Sequence, residues 1–459
     1  MEKEVVKEQN PLGTRPVPQM LLSLAVPAVI ANLVNAVYNI VDQIFIGNKI
    51  GYLGNAATNV AFPLTTICMA IGLMVGLGSA AGFNLNLGKK KTAEAKGIAG
   101  TAFTSLLLFG ILICIFVRLF LQPLMVVFGA TEDILSYAME YSGITSFGIP
   151  FLLFSTGTNP LVRGDGNARY SMAAVVTGAI LNIILDYTFM YVFSWGIAGA
   201  AWATVIGQIV SAVLLILYFP KFQHVKFEAS DFLPKGKYIM QICRLGFSSF
   251  AFQSSTLVVQ VVCNNLLRTY GAQSVYGSEI TIAVAGIMQK INAIFVAVVI
   301  GVVQGSQPIC SFNYGAKKYA RVRETVRLLM ISTTILSTLV FLLIQCFPRQ
   351  IMGLFGEGTE EYFEFAIRYA RGFTAVIFLN GIQTSCTTFF PSIGKAWKGS
   401  VIALSKQLVL LVPLLILLTQ WLGLNGLIIA TPISDALAFM LAALFLCFEM
   451  KHMPKEDTI

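Results

Sequence analysis

Uncharged runs decide what this chain can fold into. Stretches 16–41, 50–88, 97–117, 141–162, 187–220, 245–267, 291–316, 328–348, 372–394 and 407–434 contain no Asp, Glu, Lys or Arg. Several reach the ~20 apolar residues that cross a bilayer as a helix, and the longest can hold more than one element. Only 12% of the 459 residues are charged, about half the share expected of a soluble domain. The pattern predicts an all-α polytopic membrane protein. The mixed-charge start followed by a long apolar run predicts no cleavable leader. Eight cysteines are scattered through the apolar runs without metal-ligand or redox spacing, which fits helix packing.

The net charge of +9 reflects topology rather than a nucleic-acid partner. Of 31 basic residues, 23 gather at the two ends and in alternate loops, as in Lys89, Lys90, Lys91 and Lys96, or Lys317, Lys318, Arg321, Arg323 and Arg327. The loops between hold fewer bases and carry Glu132, Asp133, Glu360 and Glu361. This positive-inside pattern puts both termini in the cytoplasm. An even number of spans follows, and twelve are expected, near 18–46, 53–84, 95–121, 134–160, 168–193, 197–219, 239–268, 277–312, 319–347, 361–390, 396–420 and 424–449.

The chain also repeats itself. GSAAGFNLNLGKKKTAEAK (78–96) matches GSQPICSFNYGAKKYARVR (305–323) at an offset of 227, and FGATEDILSYAMEY (128–141) matches FGEGTEEYFEFAIRY (355–369) with one insertion. GNARYS (166–171) resembles GKAWKG (394–399), and WGIAGAAWAT (195–204) matches LGLNGLIIAT (422–431). Two parallel, pseudo-symmetric six-helix bundles are expected: an N-lobe over 1–220, a linker over 221–237 and a C-lobe over 238–459. A substrate path usually lies between such halves.

Within the first bundle, NAVYNIVDQIFIG (35–47) places an acid in an apolar span. Asn32, Asn35, Asn39 and Asp42 are spaced three, four and three apart and form one polar stripe of helix 1. A charge at mid-membrane costs about 2.5–3.5 kcal/mol or more, so that face turns to protein or water. Pro27 has no N–H for the helical ladder, and a bend is expected there. LNIILDYTF adds Asn182 and Asp186 on one face of helix 5, and helix 6 adds Thr204. Thr58, Asn59, Thr65 and Thr66 on helix 2, and Ser155, Thr158 and Asn159 on helix 4, enrich the same half. Two carboxyls sharing a desolvated site can exchange protons near neutral pH; the same oxygens can hold Na⁺. A hydrogen-bonded packing core is the bland alternative, which two intramembrane acids disfavour.

The second half differs in chemistry. Helix 7 has Asn264 and Asn265 near the position equivalent to Asp42 but no acid, and Pro413 stands at the equivalent of Asp186. Glu279, Gln289 and Lys290 on helix 8 are candidate C-lobe cavity residues. Lys406 and Asp435 suit an interhelical pair. The 34 Phe and 15 Met suit an adaptable apolar cavity.

Taken together, Pro27 and Asp42 in helix 1, LNIILDYTF in helix 5, RGDGNAR after helix 4 and WGIAGAAWAT resemble the multidrug and toxic compound extrusion (MATE) family. The resemblance covers about residues 15–450 and is closest to the DinF-like and MepA-like bacterial branch. It implies an antiporter in the plasma membrane of a bacterium, expelling organic, often cationic, compounds in exchange for H⁺ or Na⁺. Carried over residue by residue, Asp42, Asn182, Asp186 and Thr204 match that branch's first-lobe cation site. A NorM-like branch keeps acids in helices 7 and 10, where STLVVQVVCNNLL and FLNGIQTSCTTFF have none. No cofactor and no metal beyond Na⁺ is expected. The expected partners are the bilayer and small organic substrates, with no nucleic acid, and the chain is expected to act as a monomer.

A flippase for a lipid-linked or other amphipathic metabolite is the nearest rival. Its pyrophosphate-linked substrate calls for converging intramembrane arginines, whereas the clear intramembrane cations here are Lys290 and Lys406. A membrane-embedded enzyme is the remote rival; both histidines, His224 and His452, lie in expected cytoplasmic segments, and the single acid of RGDGNAR is too few for diphosphate-bound Mg²⁺. GDG (164–166) reads as a tight turn. No GxxxxGK[ST] loop is present, so an ion gradient supplies the energy. The topology is directly testable: a fluorescent protein fused after Ile459 should light up and an alkaline phosphatase fused there should stay inactive. Active phosphatase would reverse the assignment.

Overall fold

The computed structural model describes residues 10–353, 359–454 and 457. Lys3, Lys7, Lys455 and positions 355–358 of one repeat block lie outside them. No strand occurs among the described residues, and ten helices are long and apolar enough to cross a membrane unaided. They are helix 1 (Val17–Ile50), helix 2 (Tyr52–Gly88), helix 3 (Thr92–Leu119), helix 5 (Ala168–Val192) and helix 6 (Gly196–Ile216) in the first half. The second half supplies helix 7 (Gly236–Ala272), helix 8 (Gly277–Gly315), helix 9 (Tyr319–Cys346), helix 11 (Ala396–Leu422) and helix 12 (Leu424–His452).

Helices 4 and 10 complete the twelve, each in two pieces. Glu132–Thr145 and Ile149–Gly164 are joined through a 3₁₀ turn at Ser146–Gly148. Glu360–Phe373 and Asn380–Ser392 are joined through one at Ile377–Leu379. The first break has a sequence cause, since Pro150 lacks the N–H that a continuous helix needs. At the second, the Thr374 hydroxyl donates to the Ala370 carbonyl at 2.7 Å, a back-bond that loosens a helical turn.

The repeat extends to the backbone. Three pairs of left-handed residues match across the repeat: Lys90 (φ 59°) with Lys317 (φ 57°), Gly166 (99°) with Gly394 (84°), and Gly196 (59°) with Gly423 (58°). The left-handed region costs an L-residue with a β-carbon about 1–2 kcal/mol, so the same strained lysine in both halves marks one turn design used twice. Short helices Leu121–Val127 and Pro348–Gly353 follow helices 3 and 9 in the same way.

Both chain ends converge on the start of helix 9. Arg321 donates to the carbonyls of Leu12 (3.2 Å) and Arg15 (2.6 Å), and Arg323 to Met453 (2.6 Å). We call this side the terminal face. Beside it the two bundles meet, helix 1 against helix 8 and helix 2 against helix 7. Glycines set the approach. A β-carbon on Gly246 would fall 1.8 Å from the Met74 carbonyl oxygen, and one on Gly305 2.6 Å from Ala25 Cα. Polar bridges reinforce it: Gln307 Nε2 donates to Leu77 O at 3.0 Å, and Gln304 Oε1 accepts from Arg163 (3.0 Å) and Asn32 (3.5 Å).

Helix 1 runs unbroken through Pro27. GDG is more than a turn: Gly166 supplies the positive φ, while Asp165 is fully buried. Its carboxylate accepts from Tyr218 Oη (2.9 Å), Gln223 N (2.8 Å) and His224 N (3.2 Å), and faces His224 Nδ1 at 2.9 Å. That ties the stretch after helix 6 to the helix 4–5 corner. Phe222, Phe227 and Phe232 then pack on Phe103, so the linker is docked through its aromatic residues.

Overpacking a tight helix contact costs about 1–3 kcal/mol. Gly246→Val should therefore lower the apparent melting temperature well below that of Gly286→Val, a mid-helix glycine whose added β-carbon meets nothing within 4 Å. Equal losses would show that the bundle contact is not held as described.

Candidate functional site

In the first bundle, the predicted cluster assembles from helices 1, 5 and 6. Small residues make this possible. A β-carbon on Gly207 of helix 6 would sit 2.8 Å from the Gly178 carbonyl oxygen and 3.2 Å from Asn182 Cβ, so helices 5 and 6 pack backbone to backbone. Asn182 thereby reaches Thr204. In the orientation that satisfies both ends of its amide, Asn182 donates to Asp186 Oδ2 at 3.3 Å and accepts from the Thr204 N–H at 3.2 Å. Turned over, it donates to Thr204 Oγ1 at 3.4 Å. A π-helical turn at Thr188–Val192 follows Asp186 directly; such turns recur at functional sites.

Asp186 is fully buried, and helix 1 brings the Asp42 carboxyl within hydrogen-bonding reach of it. Two anionic carboxylates repel at that range; a proton or a cation between them makes the contact favourable. Each acid also keeps one buried oxygen, Oδ1, without a hydrogen-bond partner. An orphaned buried carboxylate oxygen costs energy, and these two are the oxygens a small cation or a shared proton would satisfy. Among the described residues no group of three or more His, Cys, Asp or Glu gathers for a metal ion, so the oxygen set is acid, amide and hydroxyl.

Two tyrosines belong to the site and are absent from the sequence reading. Tyr38 is half-buried beside Asp42, and Tyr141 of helix 4 lies beside Thr204 and faces both acids. Tyr38 carried a signal, since it lies one helical turn before Asp42. Tyr141 carried none beyond its match with Tyr369.

The polar stripe of helix 1 does not act as one unit. Asn39 is exposed and donates to the Asn35 carbonyl at 2.7 Å. Asn32 turns away from the acids, donating to Ala297 O (3.4 Å) and Gln304 Oε1 (3.5 Å) across the bundle contact. Glu279 and Lys290 are exposed on helix 8, with Gln289 half-buried; the structure does not bring them to the acid pair.

Twelve helices in two repeated bundles, with two acids facing each other in the first, define a polytopic membrane transporter architecture. The MatE family profile matches residues 27–188 and 245–417, and the chain belongs to that family of multidrug efflux transporters; it is not an enzyme. The multidrug export protein MepA of Staphylococcus saprophyticus is 22% identical over 429 residues, covering 92% of each chain. A MOP superfamily transporter from Pyrococcus furiosus superposes with a TM-score of 0.90 at 22% identity, over 98% of this chain and 99% of that one. A structure described as the outward-facing conformation of a multidrug resistance MATE transporter gives the same TM-score, identity and coverage.

In one of the two amide orientations Asn182 donates to the Thr204 hydroxyl at 3.4 Å. Thr204→Val removes that acceptor, a loss of about 0.5–1.5 kcal/mol where this orientation holds in the membrane. The expected result is a fall in apparent melting temperature; an unchanged value would assign Asn182 to Asp186 and the Thr204 N–H alone.

Proposed function

We propose that this chain is a secondary antiporter exporting organic, cationic or amphipathic compounds in exchange for H⁺ or Na⁺, with Asp42, Asn182, Asp186 and Thr204 as its coupling site. The observation that carries the reading is the pair of intramembrane carboxyls with unpartnered buried oxygens. MepA relatives are multidrug exporters by name, which supports the substrate class.

The bundles, read as an N-lobe ending near 220 and a C-lobe beginning near 238, touch at the terminal face. Both termini are placed in the cytoplasm by the basic loops, so the contact seals the cytoplasmic side of a bacterial plasma membrane. This is then an outward-open state. A proton or Na⁺ entering between Asp42 and Asp186 removes charge from the first lobe. Helix 1 carries Asp42 at one end of its stripe and Asn32, which bridges to Gln304, at the other; Pro27 lies a turn further along. Filling the acid site and loosening the cytoplasmic seal are thereby events on one helix. Coupling then follows because cation and substrate favour different states of the same site. Glu279, Gln289 and Lys290 line the C-lobe side of the cavity in this reading, because exposed charges on a membrane helix need water rather than lipid.

In cells lacking their own exporters, Asp42→Asn and Asp186→Asn should each lose resistance to organic cations by tenfold or more, at wild-type protein levels in the membrane. An ionophore should stop efflux while ATP persists. Wild-type resistance in both variants would overturn the assignment.

A further inference from the structure

The second bundle contains a charged cluster that the coupling site does not use. Lys406 on helix 11 places its ammonium 2.9 Å from Asp435 Oδ1 and 2.9 Å from Asn380 Oδ1. Asn380 in turn donates to Asp435 Oδ2 at 2.9 Å. The cluster therefore spans helices 10, 11 and 12. Asp435 is buried, and Ser434 closes the group by donating to the Lys406 carbonyl at 2.9 Å.

Its position is informative. In the first bundle the acid site uses helices 1, 5 and 6; the repeat pairs these with helices 7, 11 and 12. Asp435 lies one turn beyond Thr431, the equivalent of Thr204, and Lys406 lies about two turns before Pro413, the equivalent of Asp186. Both displacements run toward the terminal face. Helix 11 also carries a π-helical turn, Ser405–Leu411, that includes Lys406, as helix 5 carries one after Asp186. So each bundle has an acid-and-amide oxygen cluster beside a π turn on the same pair of helices. The first has no basic side chain in an ion pair with its acids; the second has an ammonium 2.9 Å from Asp435 Oδ1.

A small cleft adjoins the cluster, lined by Lys406, Gln383, Thr384 and Thr387 and reaching Phe252 of helix 7. It has room for about one water-sized guest. Gln383 is 2% exposed, and its Oε1 has no hydrogen-bond partner. A hollow of this size, with Gln383 and two threonines on its wall and a carboxylate and an amide oxygen beside it, suits a small monovalent cation. The Lys406 ammonium, a compact cation on a tether, already takes that place.

We propose that the second bundle carries a self-filled cation seat, in which the Lys406 ammonium occupies the position that Asp435 and Asn380 would otherwise offer to an exchangeable monovalent cation. The seat is charge-balanced in every state of the protein and exchanges nothing. Where the coupling reading of the first bundle holds, ion exchange is confined to that bundle. Removing the tethered charge opens the seat, with Gln383 Oε1 as a further oxygen ligand.

The test reads binding, not efflux, so it can fail while the coupling reading stands, and the reverse. Full-length protein is purified with the first site silenced by Asp42→Asn and Asp186→Asn. Its melting temperature is followed up to 100 mM NaCl or methylammonium chloride, with choline chloride as the ionic-strength control. With Lys406 intact, neither cation should move the midpoint. With Lys406→Ala or Lys406→Gln added, Na⁺ or methylammonium should raise it saturably by about 2–4 °C, and Asp435→Asn should abolish the rise. Lys406→Gln keeps a hydrogen-bond donor for Asp435 should the alanine variant fail to fold. A saturable response with Lys406 intact that Asp435→Asn removes would overturn the proposal, because the seat would then be exchangeable. Folded Lys406 variants with no response would overturn it equally.

Discussion

A carboxylate inside hydrocarbon must find a proton, a cation or a set of donors, and this requirement organises the first bundle. Asp42 and Asp186 meet each other rather than a lysine or arginine. Glycines 178 and 207 bring helices 5 and 6 close enough for Asn182 to reach Thr204. Tyr141 closes the group from helix 4. Each neighbour is polar and uncharged, so the pair is oriented but not neutralised. An acid pair left in that condition is what the proposed cation coupling requires.

The second bundle shows the same requirement met another way. There Asp435 has Lys406, and a second buried acid, Glu449, has Lys395 and Lys398, the latter at 2.7 Å. Acids with fixed basic partners hold helices together. The duplicated backbone, down to its paired left-handed turns, thus supports two electrostatic designs. Between them, the terminal-face contact combines close glycine approaches, bridges such as Gln304, and a buried apolar patch in which Met20, Leu21 and Leu24 of helix 1 pack with Ile309 of helix 8.

Much of this was legible in the sequence because the membrane writes its constraints plainly. Spans follow from the uncharged runs, the repeat from aligned blocks, and Asp42, Asn182, Asp186 and Thr204 from polar residues that lipid would not tolerate. The breaks in helices 4 and 10 were less readable. Pro150 announces the first, while Thr374 acts through a back-bond that composition does not reveal. The π turns at 188–192 and 405–411 have no local signature, since they arise from how whole helices pack. The helix 1 stripe misled, because periodicity fixes which face a residue occupies and not which partner it meets: Asn32 and Asp42 share a face yet serve different contacts. Asp165 was hidden for a related reason, its partners Tyr218, Gln223 and His224 lying more than 50 residues away.

The central claim is that substrate and cation are linked through the Asp42–Asp186 pair, and linkage is reciprocal. The most direct measurement is ion release on substrate binding by the purified protein in weakly buffered detergent, read by a pH indicator and a sodium-selective electrode. Adding a fluorescent organic cation should release H⁺ or Na⁺ from the wild type, and the release should vanish in Asp42→Asn and in Asp186→Asn. Substrate binding by the wild type with neither ion released would contradict the account.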